Sequence, residues 1–160
     1  SGRAYAASKG YAFLTTINAG EGFWVDAKVA FPLPSPSGAP VLSSSFAPAN
    51  SGAAGGVRAL ALGWNQISIG DNSTPDQFNA AISSTATPPL GAGMSVPANL
   101  TTLWAWDAGL SRWYFWAPYL VNNGSLATYL ASKNYLDFVT LPTNPTGTLS
   151  PVTGFWVSMP

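Results

Sequence analysis

Acid–base chemistry in this chain would have to come from six carboxylates: Glu21, Asp26, Asp71, Asp76, Asp107 and Asp137. Glycoside hydrolysis needs two such groups on either side of one bond, and no two of these share a recognisable motif. Asp107 stands where a hairpin should turn. Asp76 falls in the first turn of an expected helix, and Asp71 belongs to the turn Gly70-Asp71-Asn72. A calcium loop would alternate oxygen ligands at fixed spacing, which Asp71 and Asn72 do not. There is no His and no Cys. Imidazole bases, thiolate nucleophiles and Cys- or His-ligated zinc are thereby excluded within the chain. The expectation is no catalytic residue, no metal site and no cofactor.

Aromatic residues offer a different chemistry. Trp104, Trp106, Trp113, Tyr114, Trp116 and Tyr119 crowd into one short stretch. Sugar rings present C–H faces that stack on aromatic planes, so these six are the candidate glycan-binding residues. The competing use of the same rings is the core, because each can bury a large apolar area.

Those rings need a scaffold. Leu100–Asp107 and Arg112–Pro118 read as strands, joined by the turn residues between Asp107 and Arg112. Alternation puts Trp104 and Trp106 on one face, and Leu103 and Ala105 on the other. Trp113 and Phe115 likewise oppose Tyr114 and Trp116. Neither face is polar, so both should be covered. Further strands are expected at Ala59–Ile69, Leu136–Leu141 and Phe155–Met159, with partial counterparts at Phe13–Ile17 and Phe23–Phe31. Asn18–Gly22 reads as a turn between the last two.

Three short helices are expected. Arg3–Lys9 ends at Gly10, and Leu126–Lys133 ends at Asn134; both terminators tolerate the left-handed conformation. Ser125 is the expected N-cap of the second. Pro75–Ser83 follows Thr74, a capping residue, with Pro75 at the first helical position. The predicted class is mainly β: a small antiparallel β-sandwich or barrel-like sheet with two or three short helices, plus an incomplete second repeat unit.

The repeat is visible in two landmarks. Tyr5-Ala-Ala-Ser-Lys-Gly-Tyr11 matches Tyr129-Leu-Ala-Ser-Lys-Asn-Tyr135, and Gly22-Phe-Trp-Val25 matches Gly154-Phe-Trp-Val157. The second copy carries eight extra residues between them, in the loop-like stretch Leu141–Pro151. Its front half holds Gly63-Trp64-Asn65 and the aromatic hairpin; the first copy has no front half. Residues 1–31 are thus the back half of a unit, 57–160 a complete unit, and 32–56 a linker rich in Pro, Ala, Ser and Gly. That linker has no charge and is expected to be packed, against this chain or a neighbour.

Gly63-Trp-Asn65, Leu103-Trp-Ala-Trp-Asp107, Ala131-Ser-Lys133 and Gly154-Phe-Trp-Val157 together resemble a tandem repeat of large secreted bacterial surface proteins. The resemblance spans one unit at 59–160 and the tail of another at 1–31. It implies a non-catalytic extracellular or cell-surface module and no particular activity.

Composition agrees with that direction. The 160 residues carry six basic and six acidic groups, 8% charged in all and net zero, with 47% hydrophobic and 13% aromatic. An average domain has about 25% charged residues. Nucleic acid needs a basic field, and a membrane span needs about 20 apolar residues in a row; neither is present, so neither is an expected partner. Disorder is excluded by high hydrophobicity at zero net charge. The start at Ser1, without Met, reads as a processed or excised piece.

Two functions of different class follow. The first is a structural protein that polymerises with other copies of itself, head to tail, as each half unit is completed by a neighbour. Tyr11, Phe13, Phe23 and Trp24 are its candidate assembly interface, because the missing front half leaves them uncovered. The second is an adhesion or carbohydrate-binding module whose partner is a polysaccharide.

Overall fold

The computed structural model describes residues 2–12, 15–25, 29–30, 32, 39–49, 57–82, 95–140, 147–149 and 153–160. Phe13, Asp26, the two ends of the Pro-rich linker and the Leu141–Thr146 part of the expected long loop lie outside them.

A four-stranded antiparallel sheet organises the chain. Its strands are β3 (Gly63–Ile67), β4 (Thr102–Asp107), β5 (Arg112–Trp116) and β6 (Phe155–Met159), in the order β3-β6-β4-β5. The C-terminal strand is therefore central, pairing Asn65 with Val157 on one side and Leu103 with Val157 on the other. Two shorter strands, β1 (Phe46–Pro48) and β2 (Arg58–Leu60), form a separate parallel pair. Among the described residues four short helices accompany them: α1 (Gly2–Ser8), α2 (Pro75–Ala81), α3 (Pro118–Asn122) and α4 (Leu126–Lys133). Sheet and short helices both agree with the sequence. The layer packed on the sheet, however, is built from helix, loop and the parallel pair, with helix and strand in comparable shares.

The two faces of the sheet differ. Leu103, Ala105, Tyr114, Trp116, Phe155 and Val157 share one face, and all are buried. Phe78 of α2 packs edge-on to Phe155 at 5.2 Å between ring centres and to Phe46 at 6.3 Å. Burying one such side chain contributes about 1.5–3 kcal/mol. Phe46 and Ala47 come from the Pro-rich segment, so part of that segment is built into the core of this same chain. A second, smaller cluster joins Phe115, Ala117 and Leu130 on the opposite side, beneath α4.

Local sequence accounts for most element ends. Thr74 accepts from the Gln77 amide, and the Gln77 side chain accepts from the Thr74 amide, a reciprocal cap for α2. Asn134 ends α4 at φ 56°. Ser125 does not cap α4 as expected: its own amide and hydroxyl both donate to Asn123 Oδ1, which orders the preceding turn instead.

Three expected strands resolve differently. Ala59–Ile69 is split, because Gly63 turns at φ +79° and the Asn65 side chain holds the break by accepting from Ala61 N and donating to Ala61 O and Gly63 O. That hydrogen bonding explains the Gly63-Trp-Asn65 spacing. Leu136–Leu141 yields only a parallel bridge from Leu136 to Tyr114 and then a 3-10 turn at Phe138–Thr140. Asp137 drives the turn by accepting from Val139 N on its side chain and from Thr140 Oγ1 on its carbonyl. Phe23–Phe31 forms no strand among the described residues; Glu21 alone bridges Ile67. Pro118, expected at the end of a strand, starts α3, where its missing N–H costs nothing.

Candidate functional site

Strand alternation gathers tryptophan on the outer face of the sheet. Trp64 comes from β3, Trp156 from β6, Trp104 and Trp106 from β4, and Trp113 from β5. Of the seven tryptophans in the chain only Trp116 points the other way, into the core at 4% exposure. Cross-strand pairing fixes the array: Trp104 faces Trp156 on one side and Phe115 on the other, and Trp106 faces Trp113.

The rings meet edge to face. Trp104 lies 6.0 Å from Trp113 at 88° and 6.5 Å from Trp64 at 60°. Each aromatic ring carries a negative face and a positive edge, which favours this arrangement. Trp104 is further held by Phe115 at 4.5 Å and Tyr135 at 5.1 Å, and its Nε1 donates to Thr102 Oγ1 at 3.0 Å. Between Trp64, Trp104, Trp113 and Trp156 an open groove of about 430 Å³ remains. The remaining side chains of this face outside the α4 cover are Gln66, Thr102 and Ser158, all neutral.

The N-terminal segment reaches the same face. Gly22 N donates to Gln66 O at 3.1 Å, Ser68 N donates to Gly20 O at 3.0 Å, and Ser68 Oγ donates to Glu21 O. A Cβ on Gly22 would come within 2.8 Å of Ile67 O, so only glycine permits this approach. Trp24 then leans on Trp106 at 6.3 Å and on Trp113 at 6.0 Å. The expected turn at Asn18–Gly22 is formed, with Asn18 N and Nδ2 donating to the Glu21 carboxylate at 2.8 and 3.0 Å.

Those hydrogen bonds, the side-chain one first, hold the Glu21 carboxyl below its ordinary value of 4.5. A depressed carboxylate stabilises the turn above its unfolded pKa, and that contribution is lost as pH falls through the folded value. Acid should therefore loosen the Asn18–Glu21 turn, while the main-chain bonds of residues 20–22 to β3 remain. The fluorescence of the adjoining Trp24 should shift as pH falls below the ordinary carboxylate value in the wild type, and shift less in Glu21→Gln. An identical acid response in both proteins would refute this role.

The sequence-derived candidates separate. Trp104, Trp106 and Trp113 form one surface cluster. Tyr114 and Trp116 do not join it: both are buried, at 3% and 4%, because their strand phase turns them to the core. The Tyr114 hydroxyl donates to Asp107 Oδ2 at 3.1 Å, and burial together with that carboxylate pushes its pKa up to about 12. It is a structural phenol. Tyr119 is 73% exposed on α3 and makes no ring contact among the described residues. Tyr11, Phe23 and Trp24 are 67%, 41% and 52% exposed.

Trp64 and Trp156 complete the groove, yet the sequence presents them only as repeat landmarks. Phase is the available signal for Trp156, which sits between the buried Phe155 and Val157; Trp64 sits between Gly63 and Asn65, which are only partly buried, and has no such signal. Asp71 is committed to structure, accepting from Ser43 N at 2.8 Å and Ser43 Oγ at 2.6 Å. No cluster of metal-ligating side chains occurs among the described residues, and none of their helices is long and apolar enough to cross a membrane. Comparison with family models, curated proteins and solved structures finds no match.

Proposed function

We propose that this chain is a non-catalytic structural module of an extracellular or cell-surface fibre, assembled head to tail as each half repeat is completed by another copy. One observation carries the reading. The tetrapeptide Gly-Phe-Trp-Val occurs twice, and its two copies have opposite fates. In β6, Phe155 and Val157 are fully buried between β3 and β4; in the arm, Phe23 and Val25 are 41% and 47% exposed. The same side chains that complete a sheet in one copy have no sheet to complete in the other.

The arm is anchored by residues 20–22 on its own β3, which leaves Phe23 and Val25 presented rather than buried. An apolar segment held in that way suits pairing as a strand with a second front half of the same type, through main-chain hydrogen bonds and alternate side-chain pockets. Low charge favours the contact, since little repulsion opposes it. The resemblance to tandem surface-protein repeats and the expected sandwich of completed units belong to the same proposal.

Sedimentation and electron microscopy of the full chain test it. Wild-type protein should form long assemblies, and Phe23→Asp with Val25→Asp should leave folded monomers. A wild type that stays monomeric at high concentration refutes the reading.

A further inference from the structure

We infer that the groove between Trp64, Trp104, Trp113 and Trp156 is a binding site for a neutral polysaccharide. This does not rest on Phe23 and Val25, which take no part in the groove; of the arm only Trp24 touches a wall, at Trp113.

The walls come first. Four indoles bound an open space of about 430 Å³, within the range of roughly 300–1,000 Å³ typical of small-ligand sites. The rings do not need a ligand to order them. Trp104 is wedged against Phe115 and Tyr135 and tied to Thr102, and Trp113 stands at 88° against it. A preformed groove binds without the entropic cost of arranging its side chains.

The chemistry of the rim selects the ligand. Outside the α4 cover this face has no charged side chain, so an anionic partner finds no complement there; a cation could meet the indole faces, but it would leave the neutral amide and hydroxyl rim unused and its binding would weaken with salt. What it offers beside the indoles is one amide and two hydroxyls, on Gln66, Thr102 and Ser158. A purely apolar occupant would desolvate the Gln66 amide and the Ser158 hydroxyl without pairing them, at a cost; the Thr102 hydroxyl already accepts from Trp104 Nε1. A pyranose fits both requirements, with C–H faces for the negative indole faces and hydroxyls for the amide and hydroxyl rim. The groove is open, which suits a chain threading through it rather than an enclosed monosaccharide.

The test uses the full chain, soluble neutral glucans in affinity electrophoresis, and insoluble cellulose and chitin in pull-downs. Wild-type protein should be retained, and retention should not change between about 0.05 and 1 M salt, since no charge is screened. Trp64 is 59% exposed, so Trp64→Ala should keep the thermal midpoint while weakening retention about tenfold, the loss expected for one stacked ring. Trp64→Phe should keep most of it, and Tyr119→Ala all of it. Retention that Trp64→Ala leaves unchanged, or no retention on any of these polymers, overturns the inference. So does a Trp64→Ala protein that loses only self-association, because the face would then bind another copy. Should Trp64→Ala lower the midpoint, Trp64→Phe together with the ligand-induced fluorescence shift of the wild type decides between the same outcomes.

Discussion

Phe155→Ala should cost about 3–5 kcal/mol of stability, the range for emptying a buried phenylalanine site, whereas Phe23→Ala should cost about 0.5 kcal/mol. The two residues sit in the same tetrapeptide, so local propensity is matched and only tertiary environment differs. Phe155 is 0% exposed in the central strand, against Phe78, with Leu103, Ile67 and Val157 in the same core cluster. Its ring cannot be replaced by collapse, because β3 and β4 flank it through backbone ladders and α2 is fixed by its own reciprocal cap. For a domain of this size each kcal/mol moves the melting point by roughly 2–4 °C. The Phe155 variant should therefore melt about 6–20 °C lower and the Phe23 variant within about 2 °C of wild type. Denaturant midpoints measured on dilute, unassembled protein decide the matter. Equal losses at the two positions would mean that the arm is buried as deeply as β6, and would remove the main support for repeat completion.

That contrast also marks what the sequence can reveal. Where an element is set by its own few residues, sequence and structure agree closely. Leu126–Lys133 and its left-handed Asn134, the Thr74–Gln77 cap, and Phe155–Met159 all depend on neighbours within a turn or on plain alternation. The alternation of the aromatic hairpin is legible for the same reason. Which of its two apolar faces is covered is not. That depends on where Phe78 and Phe46 arrive from distant parts of the chain, and both arrive on the Leu103–Ala105 side. Hence Tyr114 and Trp116 look equivalent to Trp104 and Trp113 in sequence and are not so in space. The segment after Leu136 misleads in another way. Its β-branched and aromatic residues favour a strand, but the Asp137 carboxylate and carbonyl capture the next polar groups and curl the chain into a 3-10 turn. Pro118 closes one element and opens another, and only the second half of that role is local to the residues that follow it.

Asn79 carries the largest polar liability in the structure, and its replacement by Asp should be among the most damaging single changes in the chain. It sits in α2 at 0% exposure. Its Nδ2 donates to Pro97 O at 2.6 Å, its Oδ1 accepts from Leu100 N at 3.3 Å, and its backbone carbonyl accepts from Asn99 Nδ2 at 2.8 Å. The loop leading into β4 takes its partners from two side-chain amides: Asn122 pairs with Ser95 N, Val96 N and Val96 O, and Asn79 alone pairs with Pro97 O and Leu100 N. In Asn79→Asp an oxygen replaces the donor, facing the Pro97 carbonyl oxygen within an apolar setting. An unpaired buried charge of that kind costs about 3–5 kcal/mol. Burial raises the carboxyl pKa in the native state, so the native protein holds a proton over a range where the unfolded chain has released it. Stability then falls as pH rises from the unfolded value towards the native one, and stays low above it. Acidification should accordingly restore part of the loss, because the protonated acid can again donate to Pro97 O. Asn79→Leu keeps the volume but strands the Pro97 carbonyl and the Leu100 amide, at about 2–4 kcal/mol, and it has no proton to bind. Urea midpoints near pH 7 and near pH 5 separate the two cases. The gap between Asp and Leu variants should narrow or reverse at the lower pH, and a gap that does not change would mean that the Asn79 side chain reaches water.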